Sequence, residues 1–313
     1  MTEQEIASCV HLQDLLLDNY KMKTLEESGK CVSLEVENNG CSSDLSWYRV
    51  ELVRNTMKNI YEKCGWTVTE GGYADQKFLL TLNLVPAKGN ESDQRRRMAV
   101  GVVRNIATKQ KERQISIEDY LRMREEDILS VEANAQLAKA TVHFELLHVG
   151  YQSCVNLDFS APPVLNRGSS NRGVVFCLYN YARIATILNK HASGVERSEY
   201  PPLPALDAQL AQTLFEMSPE MKLVRLCLMR FTKVLSDVEP DAEGRLPQPH
   251  LLCRYLSEVA HPISRYYRSH HVLTEPSAHL LPVMHARLHL LRAIHRVLGY
   301  AFHLLDLQPQ DTM

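Results

Sequence analysis

The sequence contains no P-loop, no GxGxxG turn and no GxSxG elbow. Those patterns set backbone amides against phosphates or expose a nucleophilic serine, so their absence argues against nucleotide-cradling and serine-hydrolase chemistry. No glycine-rich turn opens a helix after a strand, which leaves no cofactor-binding core for a methyltransferase. The eight cysteines, Cys9, Cys31, Cys41, Cys64, Cys154, Cys177, Cys227 and Cys253, include no CxxC pair and no compact framework. Their scatter predicts reduced thiols in an intracellular protein. The opening MTEQEIASCVHLQDLL has neither the basic start nor the apolar core of a secretory signal. No apolar run reaches bilayer length, so the expectation is a cytoplasmic protein with no membrane partner. The net charge of −2 excludes little, because nucleic-acid binding depends on local patches.

At 313 residues the chain accommodates two ordinary domains. The first third alternates between elements. An amphipathic helix is expected over Glu3 to Tyr20, a strand in KCVSLEVEN, a helix in WYRVELVRNTMKNIYEKCGW, and β-type segments at Thr67 to Thr69 and Phe78 to Val85. Asn39-Gly40 and Gly71-Gly72 mark turns. Ser116 with Asp119 three residues later forms an acidic variant of a capping box, so a helix starts there and runs through Ile128. The basic run before it, Arg95, Arg96, Arg97, Arg104, Lys109, Lys111 and Arg113, reads either as a solvated loop or as a long-range contact with RNA phosphates. Pro162-Pro163 and Gly168-Ser169-Ser170 break the chain, which places a domain boundary near Gln152.

Beyond that boundary the pattern turns helical. From Val174 to Lys190, Cys177, Tyr181, Ile184 and Leu188 share one side, while Tyr179 and Arg183 sit one turn apart on another. An aromatic ring beside a guanidinium can stack an unpaired base and hold its phosphate. A core tyrosine with a salt-bridged arginine fits the same letters. Tyr200 to Pro204 is a proline-rich connector. LDAQLAQTLFEM reads as a short helix, and a second begins with Ser218 as N-cap and Pro219 in the first helical position. In PHLLCRYLSEVAHPISRYYRSHHVL, apolar residues recur at three- and four-residue intervals, and Pro262 predicts a kink. Projecting the last helix, Val283 to about Asp306, puts Met284, Leu291, Ile294 and Leu298 on one side. His285, His289, Arg292, Arg296 and His303 fall opposite, as a phosphate-contacting stripe or a plain solvated face. Arg287 projects into the apolar side, where it needs a carboxylate or helix-end carbonyls.

The pattern LCRYLSEVAHPISRYYRSHHVL, then HARLHLLRAIHRVLGYAFHLLDLQPQDTM, resembles the DALR anticodon-binding domain that closes arginyl-tRNA synthetases. Ala286 and Arg287 stand at the signature's alanine and arginine. GVVFCLYNYARIATILNK resembles the helix that opens the same domain, so the resemblance covers roughly half the chain. It implies an all-α bundle over residues 153–313, behind a degenerate α/β class I synthetase-like remnant over residues 1–152. By analogy it implies Tyr179 and Arg183 as anticodon-loop contacts, joined by the stripe of His285, His289, Arg292 and Arg296. It further implies arginine tRNAs as the ligand class. A part in tRNA modification follows from the same source: such an adaptor presents tRNAs to a separate methyltransferase that forms 3-methylcytidine in the anticodon loop.

KMKTL at Lys21 to Leu25 superficially resembles the KMSKS signature of class I synthetases, but it lies far upstream of where that signature belongs. The positional match, AVGVVRNIATKQKERQISIEDYLRMREEDI, lacks the signature itself, and no HIGH-type motif precedes it. The expectation is therefore a non-catalytic tRNA-binding adaptor without cofactor and without DNA as partner. The alternatives are a helical protein-interaction scaffold and a fragment of an arginyl-tRNA synthetase-like enzyme. His285 and His289, one turn apart, suggest a metal, but no cysteine or carboxylate completes a zinc spacing, so none is expected.

Overall fold

A computed structural model describes residues 29–37, 44–82, 95–128, 135–159, 171–240 and 245–311. The helix expected over Glu3 to Tyr20 and the Asn39-Gly40 turn lie outside them. The first half opens with β1 (Cys31–Val36), α1 (Leu45–Lys63), β2 (Thr67–Thr69), β3 (Gln76–Thr81) and β4 (Arg96–Ala99). The four strands form a parallel sheet in the order β2-β1-β3-β4. Helix α1 begins where the Asp44 carboxylate accepts the Ser46 amide at 2.6 Å. It buries Val50, Val53, Met57 and Ile60 at three- and four-residue spacing. Parallel strands normally need a long crossover, yet β2 reaches β3 through a short link. Gly71 and Gly72 allow it with φ of +86° and +82°. Asp75 ties the link to β1: its carboxylate accepts the Cys31 amide at 2.7 Å and its own amide donates to the Cys31 carbonyl at 2.9 Å.

A second region contains β5 (Val103–Asn105), α2 (Ile117–Ile128), α3 (Ala135–Leu147) and β6 (Val155–Leu157), with β5 and β6 paired in parallel. The capping box is present, since Ser116 Oγ accepts the Asp119 amide at 3.0 Å and donates to its carboxylate at 2.8 Å. Tyr120 and Arg124 of α2 both reach buried Glu145 of α3, at 2.6 and 3.1 Å. Arg49 of α1 is fully buried without a carboxylate. It donates instead to the carbonyls of Leu146 (2.8 Å), Ser153 (2.7 Å), Gly150 (3.3 Å) and Gly101. This guanidinium joins α1 to the end of α3 and to the loop before β6.

The second half contains α4 (Asn171–Glu196), α5 (Ala208–Glu216), α6 (Ser218–Leu223), a π-helical stretch (Val224–Met229), α7 (Arg230–Val238), α8 (Pro249–Ser269) and α9 (Leu281–Leu304). One expectation changes here. Ser218 is already helical and Met217 stands at the cap without a side-chain bond, while Pro219 keeps its first-turn place. Helix α8 continues on both sides of Pro262. The π-helical stretch inside the predicted α6–α7 helix was not anticipated.

Helices α4, α8 and the π–α7 rod form one layer, with α8 in the middle. On one flank the Asn180 amide donates to the Ala260 carbonyl at 3.2 Å and the Cys177 thiol meets the Leu256 carbonyl at 3.0 Å. On the other, Tyr255 donates to the Cys227 carbonyl at 2.5 Å and its ring lies 5.2 Å from that of Phe231. Helix α9 packs beneath against α5 and α4. One buried apolar cluster runs from Val32 to Leu307 through both halves. Tyr48 Oη meets His143 Nε2 at 2.9 Å within the first half, while Asn59 donates to the His303 carbonyl at 3.3 Å, so packing crosses the boundary expected near Gln152. Among the described residues no helix is long and apolar enough to cross a membrane.

Candidate nucleic-acid interface

The α4–α8 seam fixes what the outer surface can present. Asn180 and Cys177 are buried in it, so Tyr179 must point away, and it is 48% exposed. Arg183, one turn further, is half-buried with its guanidinium 5.0 Å from the Tyr267 ring centre. Stacking holds the arginine in place without neutralising it. Phe176, one turn before Asn180, has its ring 5.0 Å from that of His261.

Across the seam, the outward side of α8 carries Arg254, His261, Arg265 and Arg268, all exposed. Their three- and four-residue spacing is the complement of the buried series Leu252, Leu256, Val259, Ile263 and Tyr266. Glu258 is the acid in this stripe. Two arginines hold it, Arg254 through Nε at 3.0 Å and Arg230 of α7 through Nη2. Arg183, Arg265 and Arg268 form no ion pair among the described residues. The result is an open face where two aromatic rings stand beside several cations, the combination that stacks unpaired bases and holds their phosphates. Sequence reasoning chose Tyr179 and Arg183 but not Phe176, His261, Arg265 or Arg268. The spacing that marked the buried side of α8 would have identified His261, Arg265 and Arg268.

The exposed-face assignment of His285 and His289 is corrected, because they are only 8% and 2% exposed. The helical projection placed them on the correct side of α9, but the Tyr200 to Pro204 connector lies over that half of the helix. His289 Nε2 donates to the Pro204 carbonyl at 3.0 Å, and Tyr200 packs its ring 5.6 Å from that of His191. Burial, with the neighbouring His191, lowers the pKa of His285. His289 holds the connector, and neither histidine faces solvent. Among the described residues no group of three histidine, cysteine or acidic side chains is placed to hold a metal.

Arg292 and Arg296 do lie on the more accessible side of α9, exposed and half-buried respectively. They belong to a different patch from Tyr179. His295, between them, stacks on Tyr181 at 3.9 Å, and Tyr181 stands about 200° around α4 from Tyr179. Arg287 meets both groups expected for it. Its Nε donates to Glu220 at 2.8 Å and its Nη1 to the His271 carbonyl at 2.9 Å. Glu220 is buried and also accepts from Tyr266 at 2.8 Å. This network fixes α9 to α6 and α8.

A helical layer with a basic and aromatic outer face, set beside a small parallel sheet, is the class of structure so defined. Residues 177–313 match the DALR anticodon binding domain. The chain is similar to DALR anticodon-binding domain-containing protein 3 of Danio rerio, with 34% identity over 180 residues, covering 55% of this chain and 32% of that protein. The Mus musculus protein of the same name is 32% identical over 187 residues, covering 58% of this chain and 32% of its own. Arginine–tRNA ligase of Oleidesulfovibrio alaskensis is 32% identical over 158 residues, covering 50% of this chain and 26% of the ligase. The chain thus spans about a third of the length of the curated relatives it matches, 32% for the first of them. In fold it is similar to Thermus thermophilus arginyl-tRNA synthetase, with a TM-score of 0.53 at 16% identity over 80% of this chain and 44% of that one.

Proposed function

We propose that this chain is a tRNA-binding adaptor whose outer α4–α8 face takes the anticodon loop. The observation that carries the reading is the position of that open face, with Tyr179, Arg183, His261, Arg265 and Arg268, almost entirely within residues that match an anticodon binding domain. Tyr179 and Phe176 stack unpaired bases, and the arginines neutralise the phosphates between them. Arg292 and Arg296 supply a second, separate phosphate contact along α9. Arginine tRNAs are the ligand class, as the likeness to arginine–tRNA ligases supports. The finer reading gives this adaptor no catalytic step of its own. It delivers arginine tRNAs to a separate methyltransferase that forms 3-methylcytidine in the anticodon loop. Residues 153–313 form the domain that binds, and residues 1–152 are a synthetase-like remnant that supports it.

The test is a titration of the full chain against arginine and non-arginine tRNAs at two salt concentrations, with Tyr179→Ala/Arg183→Ala beside wild type. Preferred binding of arginine tRNAs, weakened by salt and at least about tenfold by the double substitution, is the expected result. Binding that ignores both salt and the substitution would mark the face as a protein-contact surface.

A further inference from the structure

The rod formed by α6, the π-helical stretch and α7 carries a second cationic ridge, which the anticodon-loop reading does not use. Its buried side is Leu223, Val224, Cys227, Leu228, Phe231 and Leu235. Opposite them, Lys222, Arg225, Met229 and Lys233 are all exposed. The three cations make no ion pair among the described residues. From Lys222 to Lys233 the ridge is about 16 Å long at helical rise. A π-helical turn lies in its middle, a feature found more often at functional sites than elsewhere.

The ridge is continuous with the outer face of α8. Arg230 leans from it to Glu258, and Arg254 holds the same carboxylate from the α8 side, so the acid at the junction is neutralised twice. We propose that Lys222, Arg225 and Lys233 follow the phosphate backbone of the double-helical stem next to the loop held by α4 and α8. This rests on the tRNA-binding reading and adds to it a region for paired RNA. Chemistry favours a stem here over a single strand. The ridge offers no aromatic ring on which a base could stack, only cations and the Met229 thioether. A-form RNA is recognised through its phosphates and its wide, shallow minor groove, which suits a convex rod with three cations spread along about 16 Å. A base-paired stem must lie beside any loop whose bases are stacked on Tyr179.

The test compares two RNAs binding the full chain: an arginine-tRNA anticodon stem-loop, and a single-stranded oligonucleotide of the loop sequence alone. Lys222→Ala/Arg225→Ala/Lys233→Ala should weaken the stem-loop about tenfold or more and make its log-log salt slope shallower by about 2. It should leave the oligonucleotide unchanged. The exchange Lys222→Arg/Arg225→Lys/Lys233→Arg keeps the charges and should bind the stem-loop as wild type does, which separates lost charge from lost fold. Unchanged stem-loop affinity and slope in the alanine variant, with wild-type oligonucleotide binding intact, would overturn the stem assignment alone and leave an acidic protein as the ridge's occupant. Equal losses on both RNAs would also overturn it. If the wild-type chain binds neither RNA, the tRNA reading falls as well.

Discussion

Cations in the two halves of the molecule have different uses. In the α/β half many are taken up by the fold. Arg95 pairs with Glu35 at 2.6 Å, Arg97 with Glu37, Lys111 with Asp44 at 2.8 Å and Arg124 with Glu145 at 3.1 Å, while Arg49 is surrounded by carbonyls. Burial alone would raise the pKa of Glu37. Hydrogen bonds from Thr81 and Arg97 and the charges of Arg97 and Arg95 outweigh it and lower the pKa instead. In the outer helical layer Arg265, Arg268, Lys222, Arg225 and Lys233 lack such acids. Of the basic run Arg95 to Arg113, Arg95, Arg97 and Lys111 are paired within the fold, while Arg96, Arg104, Lys109 and Arg113 are exposed without an ion pair among the described residues, as are the five helical cations. Within such a run the supply of neighbouring carboxylates decides which cations the fold takes up.

The largest effect that would sharpen this contrast is expected at Arg49. Arg49→Met removes the guanidinium donor from the carbonyls of Leu146, Gly101 and Ser153, and from that of Gly150, which keeps the Ser153 amide, and should cost about 3–5 kcal/mol of stability. Urea unfolding measures it, and RNA affinity per folded molecule should not change. A loss below about 1 kcal/mol would show that the carbonyls find other donors and that Arg49 does not organise the half.

How much of this was legible beforehand depended on whether a feature was local. Periodicity gave α1, α4, α8 and α9, alternation gave β1, and Ser116 with Asp119 gave the start of α2, because each is fixed by residues a few positions apart. The site was half legible. Tyr179 was set on a different side of α4 from the seam residues Cys177 and Ile184, with a core position still open, and the structure turns it outward. His285 and His289 were misplaced because a helical wheel knows nothing of a connector that returns over it, and Pro204 is far away in sequence. Arg265 and Arg268 were not chosen, although the same projection that marked the core of α8 puts them opposite it. The π-helical stretch left no signal in the apolar pattern, because Leu223 to Leu235 keeps three- and four-residue spacing across it.

A smaller effect concerns the place where the halves meet. Burial, helped by the Lys139 charge and opposed by a backbone contact with Leu305, pushes the pKa of His143 from 6.5 to about 3. The folded state then resists a proton that the unfolded chain accepts, so the stability His143 contributes is complete above pH 6.5 and is lost as pH falls towards 3. Between pH 7 and 4.5 wild type should lose about 2–3 kcal/mol more than His143→Gln, which still offers Tyr48 a hydrogen-bond partner. Denaturant melts at the two pH values measure the difference. Parallel losses in both proteins would show that His143 is hydrated and that the halves are not joined by a dry contact there.

The smallest effects separate the two RNA patches. Arg265→Ala/Arg268→Ala removes two cations from the open α8 face and should weaken tRNA binding about tenfold while changing stability by less than about 0.5 kcal/mol. Arg292→Ala/Arg296→Ala should cost about threefold, because these side chains lie across α4 from Tyr179 and reach only the edge of a ligand centred there. Distant sites without shared partners combine additively, so the quadruple variant should show the product of the two factors, about thirtyfold. A product well short of that would mean that one phosphate group is shared between the patches, and the RNA would then have to wrap around the exposed side of α4 instead of lying along α8. A larger loss from the α9 pair than from the α8 pair would reverse the comparison and move the centre of the site to the flank where His295 stacks on Tyr181.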